Sequence, residues 1–182
     1  MRTIVTTFSL FIVGLQLVSC GSNQVDTWAV YTSGEGGFSV EMPAKPQKSE
    51  KIEVTAFGKQ KVNFITWKPS SFSIDKFKLF EVSYTNCPAG VIGDSAKTKF
   101  FLDSSIKLRA NDFTERGIAV QEVDINGYPG RAFIYEVAGE NTVIVKQCLT
   151  NNRRYDLVVI AKSGQGTNPE IARFFDSFQA LK

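Results

Sequence analysis

Apolar and polar residues alternate through most of the chain, a pattern that predicts β-strands joined by short turns. The segment 38–42 alternates in this way until Pro43, and the glycine-rich segment 34–37 in front of it predicts a turn and a first hairpin. A second hairpin is predicted around 57–59, and a longer strand over 77–86. The first half of the chain is therefore expected to be a series of antiparallel strands.

Four more strands are predicted in the second half, at 118–125, 129–138, 142–150 and 154–161. The segments between them, Asn126-Gly127, Gly139-Glu140 and Asn151-Asn152, hold residues that tolerate the positive φ of tight hairpin turns. The last of these strands carries apolar residues at both parities, which is typical of a central strand covered on both faces. These four strands are expected to form an antiparallel meander.

Two segments follow the helical period instead. Asp94 is the predicted N-cap of the first helix, which ends near Asn111. Its apolar face consists of Phe101, Leu102, Ile106 and Leu108. Asn168 and Pro169 are expected to begin the second helix, whose apolar stripe is Ile171, Phe174, Phe175, Phe178 and Leu181. The order of the elements predicts an α+β fold, an antiparallel β-sheet with helices packed on it.

The first 19 residues are typical of a secretory signal peptide. Arg2 precedes an apolar stretch, Ile4 to Leu17, that is shorter than the roughly 20 residues of a membrane-spanning helix. The segment Leu17-Val18-Ser19-Cys20 resembles the lipobox of bacterial lipoproteins. The resemblance implies cleavage before Cys20 and acylation of this cysteine with chains such as palmitate, with residues 20–27 as the tether. An ordinary signal peptide that ends at an unmodified cysteine is the open alternative.

A lipidated Cys20 has consequences for location and for partners. More than one buried acyl chain makes release from a bilayer slow, so the membrane itself is a partner through the lipid anchor. Gly21 rather than aspartate follows the cysteine, which by analogy with the enterobacterial sorting rule favours the outer membrane. We therefore expect a protein of the bacterial cell envelope that faces the periplasm, with residues 28–182 as a single α+β domain.

Composition removes several classes of function. The chain contains no histidine, which excludes Ser-His-Asp and Cys-His nucleophile systems and histidine-ligated zinc or haem. Lysine and arginine number 21 against 18 aspartate and glutamate, a formal charge of +3. That excess is too small to suggest a dedicated nucleic-acid binder. We predict no nucleic-acid partner, no metal and no cofactor.

The cysteines other than Cys20 are Cys87 and Cys148, an even pair for an oxidising compartment. Each lies at the polar parity of its predicted strand, so the two could meet on one face of the sheet. A disulfide between them is one interpretation. Two separate, partly buried thiols are the other, because the sequence does not show that their strands are neighbours.

Short motifs suggest catalysis only weakly. Ser73 with Lys76, and Ser104 with Lys107, match the Ser-x-x-Lys spacing of penicillin-interacting enzymes, but Ser-Asp-Asn and Lys-Thr-Gly are absent. The motif is short enough to occur by chance. The segment Gly164-Gln165-Gly166 resembles part of a phosphate loop without the residues that complete one, and we interpret it as a hinge.

Two pairs of carboxylates are candidate acid and base groups. Asp112 and Glu115 are candidates within one loop, and Asp124 and Asp156 across strands. Acid/base chemistry needs a cleft that separates the two pKa values, and a solvated surface is the simpler interpretation of these residues. With no complete catalytic motif, we predict that the chain is not an enzyme.

Three short segments share aromatic residues and turn residues: Phe38-Ser39-Val40-Glu41-Met42-Pro43, the turn Gly127-Tyr128-Pro129-Gly130-Arg131, and Phe174-Phe175-Asp176-Ser177-Phe178. Together they resemble the PsbP/Mog1-like group of small exported domains. The resemblance covers about residues 36–181. It implies a non-catalytic domain that docks on membrane complexes or assists their assembly. Histidines serve as metal ligands in some PsbP proteins, and since this chain has none, metal binding does not carry over.

Docking residues are expected around the 127–131 turn. Tyr128 and Arg131 are residue types enriched at interface hot spots, and Trp67 beside Pro69 is a similar candidate. The alternative is that Tyr128 packs at an edge and Arg131 is a solvated charge.

We expect a protein-docking or assembly-assisting module with an envelope protein as its partner. The competing hypothesis is a carrier of a lipid or small hydrophobic ligand, with a closed pocket lined by residues such as Phe64, Phe80, Phe101 and Phe174.

Overall fold

The computed structural model describes residues 27–55, 57–69, 76–111, 118, 120–137, 140–150 and 152–181. The predicted signal peptide, Cys20 and most of the tether lie outside the described residues, as do Ser73, Asp112 and Glu115.

Ten strands and two helices follow one another along the described chain. In order they are β1 Trp28–Ser33, β2 Phe38–Pro43, β3 Gln47–Thr55, β4 Gly58–Trp67, β5 Phe77–Asn86, α1 Ser95–Asn111, β6 Val120–Ile125, β7 Tyr128–Val137, β8 Asn141–Leu149, β9 Arg153–Lys162, α2 Pro169–Asp176 and β10 Gln179–Ala180. Both predicted hairpins are present as β1–β2 and β3–β4, and the predicted meander is present as β6 to β9. The predicted α+β class is confirmed.

The strands divide between two antiparallel sheets rather than the one sheet that the sequence predicted. The small sheet has the order β1-β2-β10, and the large sheet has the order β3-β4-β5-β9-β8-β7-β6. The pairing of β5 with β9 joins the first strands of the large sheet to the meander. This pairing brings together residues about 70 positions apart, which the local pattern of the chain does not specify.

An aromatic core fills the space between one face of the large sheet and the layer formed by the small sheet and α2. Its fully buried rings pack edge to face or stacked, with centroids 5.3 Å apart for Phe80 and Phe174 and 5.9 Å apart for Phe38 and Phe178. Burial of large rings at such spacings is the main stabilising contribution in a domain of this size. The rings touch one another directly, so this space is occupied by the chain itself.

The opposite face of the large sheet is covered by α1. Asp94 caps this helix, since its carboxylate accepts a hydrogen bond from the Lys97 amide at 3.0 Å. Phe101, Leu102 and Ile106 of the predicted apolar face are buried against the sheet, and the Leu108 side chain lies outside the described part. Because β9 has apolar residues packed on both of its faces, the prediction of a doubly covered central strand is confirmed.

The final helix is shorter than predicted. It ends at Asp176, where the Ser177 hydroxyl donates to the Phe174 carbonyl at 3.0 Å and accepts from the Glu41 amide at 2.8 Å. The chain then extends to pair with β2. Phe178 therefore lies beyond the end of the helix, where it is still buried, and Leu181 is 44% exposed. The predicted stripe fails at Leu181 because strand pairing, not helical period, places the last residues.

Candidate functional site

The turn between β6 and β7 places Tyr128 beside the end of α2. Asn126 and Gly127 both have positive φ, 55° and 84°, as a two-residue hairpin turn requires. The Gly127 amide donates to the Asp124 carboxylate at 2.7 Å, and the Asn126 side-chain amide donates to the Phe178 carbonyl. These contacts tie the turn to the segment that follows α2, and they hold Tyr128 half-buried against the aromatic core.

A groove of about 570 Å³ opens next to this turn. We call it the Tyr128 groove; its lining includes Tyr128, Thr150, Asn152, Arg153, Tyr155 and Leu181. Its walls are fixed by long-range hydrogen bonds, since the Tyr155 hydroxyl donates to the Gly36 carbonyl at 2.7 Å and the Leu181 amide donates to the Gly37 carbonyl at 2.8 Å. The groove is therefore a preformed feature where the two sheets meet.

Arg153 is the charged residue among the described residues that line the groove. Its Nε donates to the Asn86 side chain at 3.1 Å and its Nη1 donates to the Glu35 carbonyl at 2.6 Å. The guanidinium also lies over the Tyr84 ring, 5.5 Å from its centroid. An arginine has five N–H donors, so these two bonds position the group and leave donors for a ligand. The groove can thus recognise a carboxylate beside an apolar or aromatic side chain.

Arg131, the second predicted docking residue, is not on the surface. It is 7% exposed, and its guanidinium lies 3.3 Å from Asp103 and 3.2 Å from Glu122. Its burial follows from its place on the face of the sheet that α1 covers, where Asp103 of α1 and Glu122 of β6 pair with it. The prediction of an exposed Arg131 is therefore wrong: this arginine joins α1 to the sheet.

Trp67 is also buried rather than available for docking. It is 8% exposed, and its ring centroid lies 5.9 Å from that of Phe80 in the aromatic core. Of the three predicted docking residues, Tyr128 alone lies in a groove. A buried tryptophan in this position stabilises the core instead of binding a partner.

A row of polar side chains runs under α1, and sequence reasoning missed it. Register places one residue from each of five adjacent strands side by side, namely Ser83, Asp156, Gln147, Arg131 and Glu122. We call these residues the polar row. The first four are buried. The sequence shows that each of these residues lies at a polar position of its strand. Their alignment depends on the register between β5 and β9, which the sequence does not show.

Helix α1 binds the polar row through hydrogen bonds and ion pairs. The Gln147 amide donates to the Ser105 hydroxyl at 2.8 Å, and that hydroxyl donates in turn to the Leu102 carbonyl at 2.7 Å. Beside them Arg154 Nε lies 3.2 Å from Asp156 Oδ1, with both side chains almost fully buried. A buried charge is stable only beside a charge of opposite sign, so these two side chains stabilise each other. The contacts of Ser105 and Asp103 with the polar row orient α1 on the sheet.

The candidate catalytic pairs are not assembled. Asp124 lies on the edge strand β6 and Asp156 on β9, with β8 and β7 between them, so these two carboxylates do not meet. Asp156 is 1% exposed, so the interpretation as solvated surface is wrong for this residue. The Ser104 hydroxyl donates to the Phe101 carbonyl at 3.0 Å, and the Lys107 side chain lies outside the described residues. The segment 164–166 leads into α2, where Asn168 caps the helix by accepting from the Glu170 amide at 3.0 Å.

Of the two interpretations of the cysteine pair, the structure shows two separate thiols on opposite faces of the sheet. Cys148 belongs to the aromatic core, whereas Cys87 packs with Phe101 and Leu102 on the α1 side of the sheet. Both thiols are free. Burial raises the pKa of Cys87 to about 11 and that of Cys148 to about 12. Because the thiolate is the nucleophile, neither cysteine is poised for reaction at neutral pH in this fold.

The pocket expected for a hydrophobic carrier is not formed by the residues predicted to line it. Phe80 and Phe174 contact each other in the aromatic core, while Phe101 packs under α1 on the opposite face. Phe64 lines a second, smaller groove of about 310 Å³, which Lys45, Lys48 and Lys68 also line. The four phenylalanines therefore do not surround one cavity.

The described part of the chain has neither a metal-ligand cluster nor a membrane-spanning helix. Within those ranges, the structure shows no cluster of three or more cysteine, aspartate or glutamate side chains that would suit a metal ion. None of the helices described is both long and apolar enough to span a bilayer.

Comparison with known proteins gives fold resemblance alone. No family model matches the chain, and the curated proteins contain no match. Solved structures that are similar include a Bacteroides thetaiotaomicron protein, with 16% identity, a TM-score of 0.44 and 80% of this chain covered; the chain spans 46% of that protein. They also include the solution structure of cyanobacterial PsbP (CyanoP) from Synechocystis sp. PCC 6803, with 9% identity, a TM-score of 0.46, 91% of this chain covered and 99% of that one. The chain is an α+β protein, and the solved structures similar to it include a PsbP-type domain.

Proposed function

We propose that the chain is a non-enzymatic lipoprotein of the cell envelope that docks a segment of a partner protein in the Tyr128 groove. The observation that carries the proposal is the groove itself: a preformed depression that combines a half-buried tyrosine, an oriented arginine and an exposed leucine. Aromatic and arginine side chains in a concave setting are typical of interface hot spots.

The partner segment is expected to be extended and acidic. Arg153 supplies the charge of the groove, and Tyr128 and Leu181 supply apolar contact, so a carboxylate followed or preceded by an apolar side chain fits both. The filled aromatic core argues against the competing carrier function, because a lipid would need space that the packed rings of Phe38, Phe80 and Phe174 occupy. Docking at a membrane complex, or assistance in its assembly, is the role we assign to the groove.

The membrane anchor in this proposal is Cys20. The lipobox spacing supports acylation at this residue, which would hold the domain at the bilayer, on the periplasmic side of the outer membrane. We expect an alkyne analogue of palmitate to label the full chain in bacteria and the Cys20→Ala variant to lose both label and membrane retention. Cys87→Ala is the matched control and should label fully. Equal labelling of the Cys20→Ala variant would refute the proposal that Cys20 is the membrane anchor.

Docking is tested by site-specific photo-crosslinking. A photoreactive phenylalanine analogue at position 128 of the full chain should give a discrete adduct with one envelope protein in cells, because the side chain lines the groove. The same analogue at Ile134, an exposed residue of β7 outside the groove, is the control and should give none. If both positions give the same adducts, or if position 128 gives none while native mass spectrometry shows a bound lipid, docking in this groove is refuted.

A further inference from the structure

We propose that β3 pairs antiparallel with β3 of a second copy of this chain, joining two seven-stranded sheets edge to edge. In the described part of the chain β3 is the end strand of the large sheet, so its outer edge has no strand beside it. It is nine residues long, and its apolar residues Ile52 and Val54 are 59% and 72% exposed. A long, regular edge with exposed apolar residues is a template for pairing with another strand.

Symmetry restricts the registers that such a pair can adopt. Two identical edges related by a twofold axis perpendicular to the sheet place one residue of β3 opposite its own copy. Centring the pair on Glu50, Lys51 or Glu53 would put like charges directly opposite each other. Centring it on Ser49 would give a short ladder that leaves Ile52 and Val54 uncovered.

Centring the pair on Ile52 puts no like charges directly opposite each other, and it places Glu50 opposite Val54 of the second copy. Ile52 then lies opposite Ile52 of the second copy, and Lys51 lies opposite Glu53 of the second copy, once on each side of the axis. Val54 lies on the same face of the strand as Ile52, so the four apolar side chains of the two copies form one continuous patch. The ion pairs and the apolar contacts between the two copies thus favour the same register.

The charges of β3 favour pairing with a second copy of the strand over an edge that is protected against pairing. Edges that avoid pairing carry lysines that repel a like neighbour. Here Lys51 lies 3.9 Å from Glu53 of its own strand, so the edge carries a positive and a negative charge close together. An antiparallel copy of the strand centred on Ile52 places each of these charges opposite the unlike charge of the other copy. This inference uses the opposite end of the large sheet from β7 and does not depend on the Tyr128 groove.

Cysteine crosslinking of the full chain in its membrane tests the register. Directly opposed residues of an antiparallel pair have Cα atoms about 4.5 to 5.5 Å apart, within the range a disulfide spans. In a Cys87→Ser background, Ile52→Cys should give a disulfide-linked dimer under mild oxidation, at least about tenfold more than Val30→Cys, an exposed valine on the edge of the small sheet. Equal yields from the two positions would overturn the proposal, as would crosslinking of Ile52→Cys to a different protein.

A charge exchange tests the ion pairs independently. In the Ile52→Cys background, Lys51→Glu should lower the dimer yield because it places two glutamates opposite each other, and Glu53→Lys should do the same with two lysines. The double variant Lys51→Glu/Glu53→Lys restores opposite charges and should restore the yield. Failure of the double variant to recover, with both single variants reduced, would show that the register is not the one proposed. The proposal would also be contradicted if a thiol reagent showed that bilayer lipid, and not a second copy of the chain, shields the cysteine of a Val54→Cys variant.

Discussion

Phe80→Ala is expected to lower the free energy of unfolding by about 3–5 kcal/mol, the usual range for removal of a fully buried phenylalanine ring. The Phe80 side chain is completely buried at the centre of the aromatic core. Its ring has neighbours on every side, with centroids 4.9 Å away for Phe77, 5.3 Å for Trp28 and Phe174, and 5.9 Å for Trp67. Rings held by several neighbours do not collapse into the space left, so the cavity cost adds to the lost burial.

Urea unfolding followed by tryptophan fluorescence measures this loss directly, since the chain has two tryptophans and both contact Phe80. Phe100→Ala is the matched control. Phe100 is 57% exposed on α1 and its ring contacts only that of Phe57 among the ring pairs described, 5.7 Å between centroids, so its removal should change the free energy of unfolding by about 1 kcal/mol or less. A loss for Phe80→Ala no greater than that of the control would mean that the core is not packed as described.

Arg154→Met is expected to cost about 3–5 kcal/mol of unfolding free energy, because it removes the buried cation beside the Asp156 carboxylate. The two side chains lie 3.2 Å apart and are 7% and 2% exposed. Asp156→Leu should cost a similar amount by leaving the guanidinium buried over the Phe101 ring. The double variant replaces both charges by apolar groups and is expected to cost clearly less than the sum of the two.

A double-mutant cycle in urea gives the coupling between the two residues. The exposed pair of Lys61 and Glu50, 2.5 Å apart on the β3–β4 hairpin, is the control, and Glu50→Gln should leave the urea midpoint in place because water screens exposed charges. If the Arg154 and Asp156 substitutions are simply additive, the pair is not the coupled unit that the structure indicates.

Local elements of the fold were predictable because they depend on neighbours in sequence. The turn at Asn126-Gly127 and the cap at Asp94 are set by residues within a few positions, and the structure places both as expected. The alternation of the 154–161 segment also predicted its central place in the sheet. Each of these follows from side-chain period or backbone φ, which a local pattern records.

Long-range register was not predictable, and the polar row depends on it. Ser83 and Asp156 are neighbours because β5 pairs with β9 in one register out of several that the apolar patterns permit. The early end of α2 follows from a second non-local pairing, that of β10 with β2, and Cys87 and Cys148 lie on opposite faces of the large sheet. Local period specifies which residues share a face, but not which strand lies beside them.

The candidate site shows the same division. Tyr128 was singled out from the turn that carries it, and the structure places it in a groove. Arg131, chosen by residue type from the same turn, is buried, because its partners Asp103 and Glu122 come from α1 and β6. Arg153 was not predicted, since its position in the groove depends on the small sheet and on the carbonyl of Glu35.

The central claim is that the Tyr128 groove binds an acidic segment of a partner protein, and the most direct test is the sign of one charge at its rim. Leu181 lines the groove and is exposed, so Leu181→Glu and Leu181→Lys remove the same apolar contact and differ in charge. With the photoreactive analogue at position 128, we expect the glutamate variant to give about tenfold less adduct than the lysine variant, since like charges repel across an interface. Equal yields, or more adduct with the glutamate variant, would contradict an acidic partner in this groove.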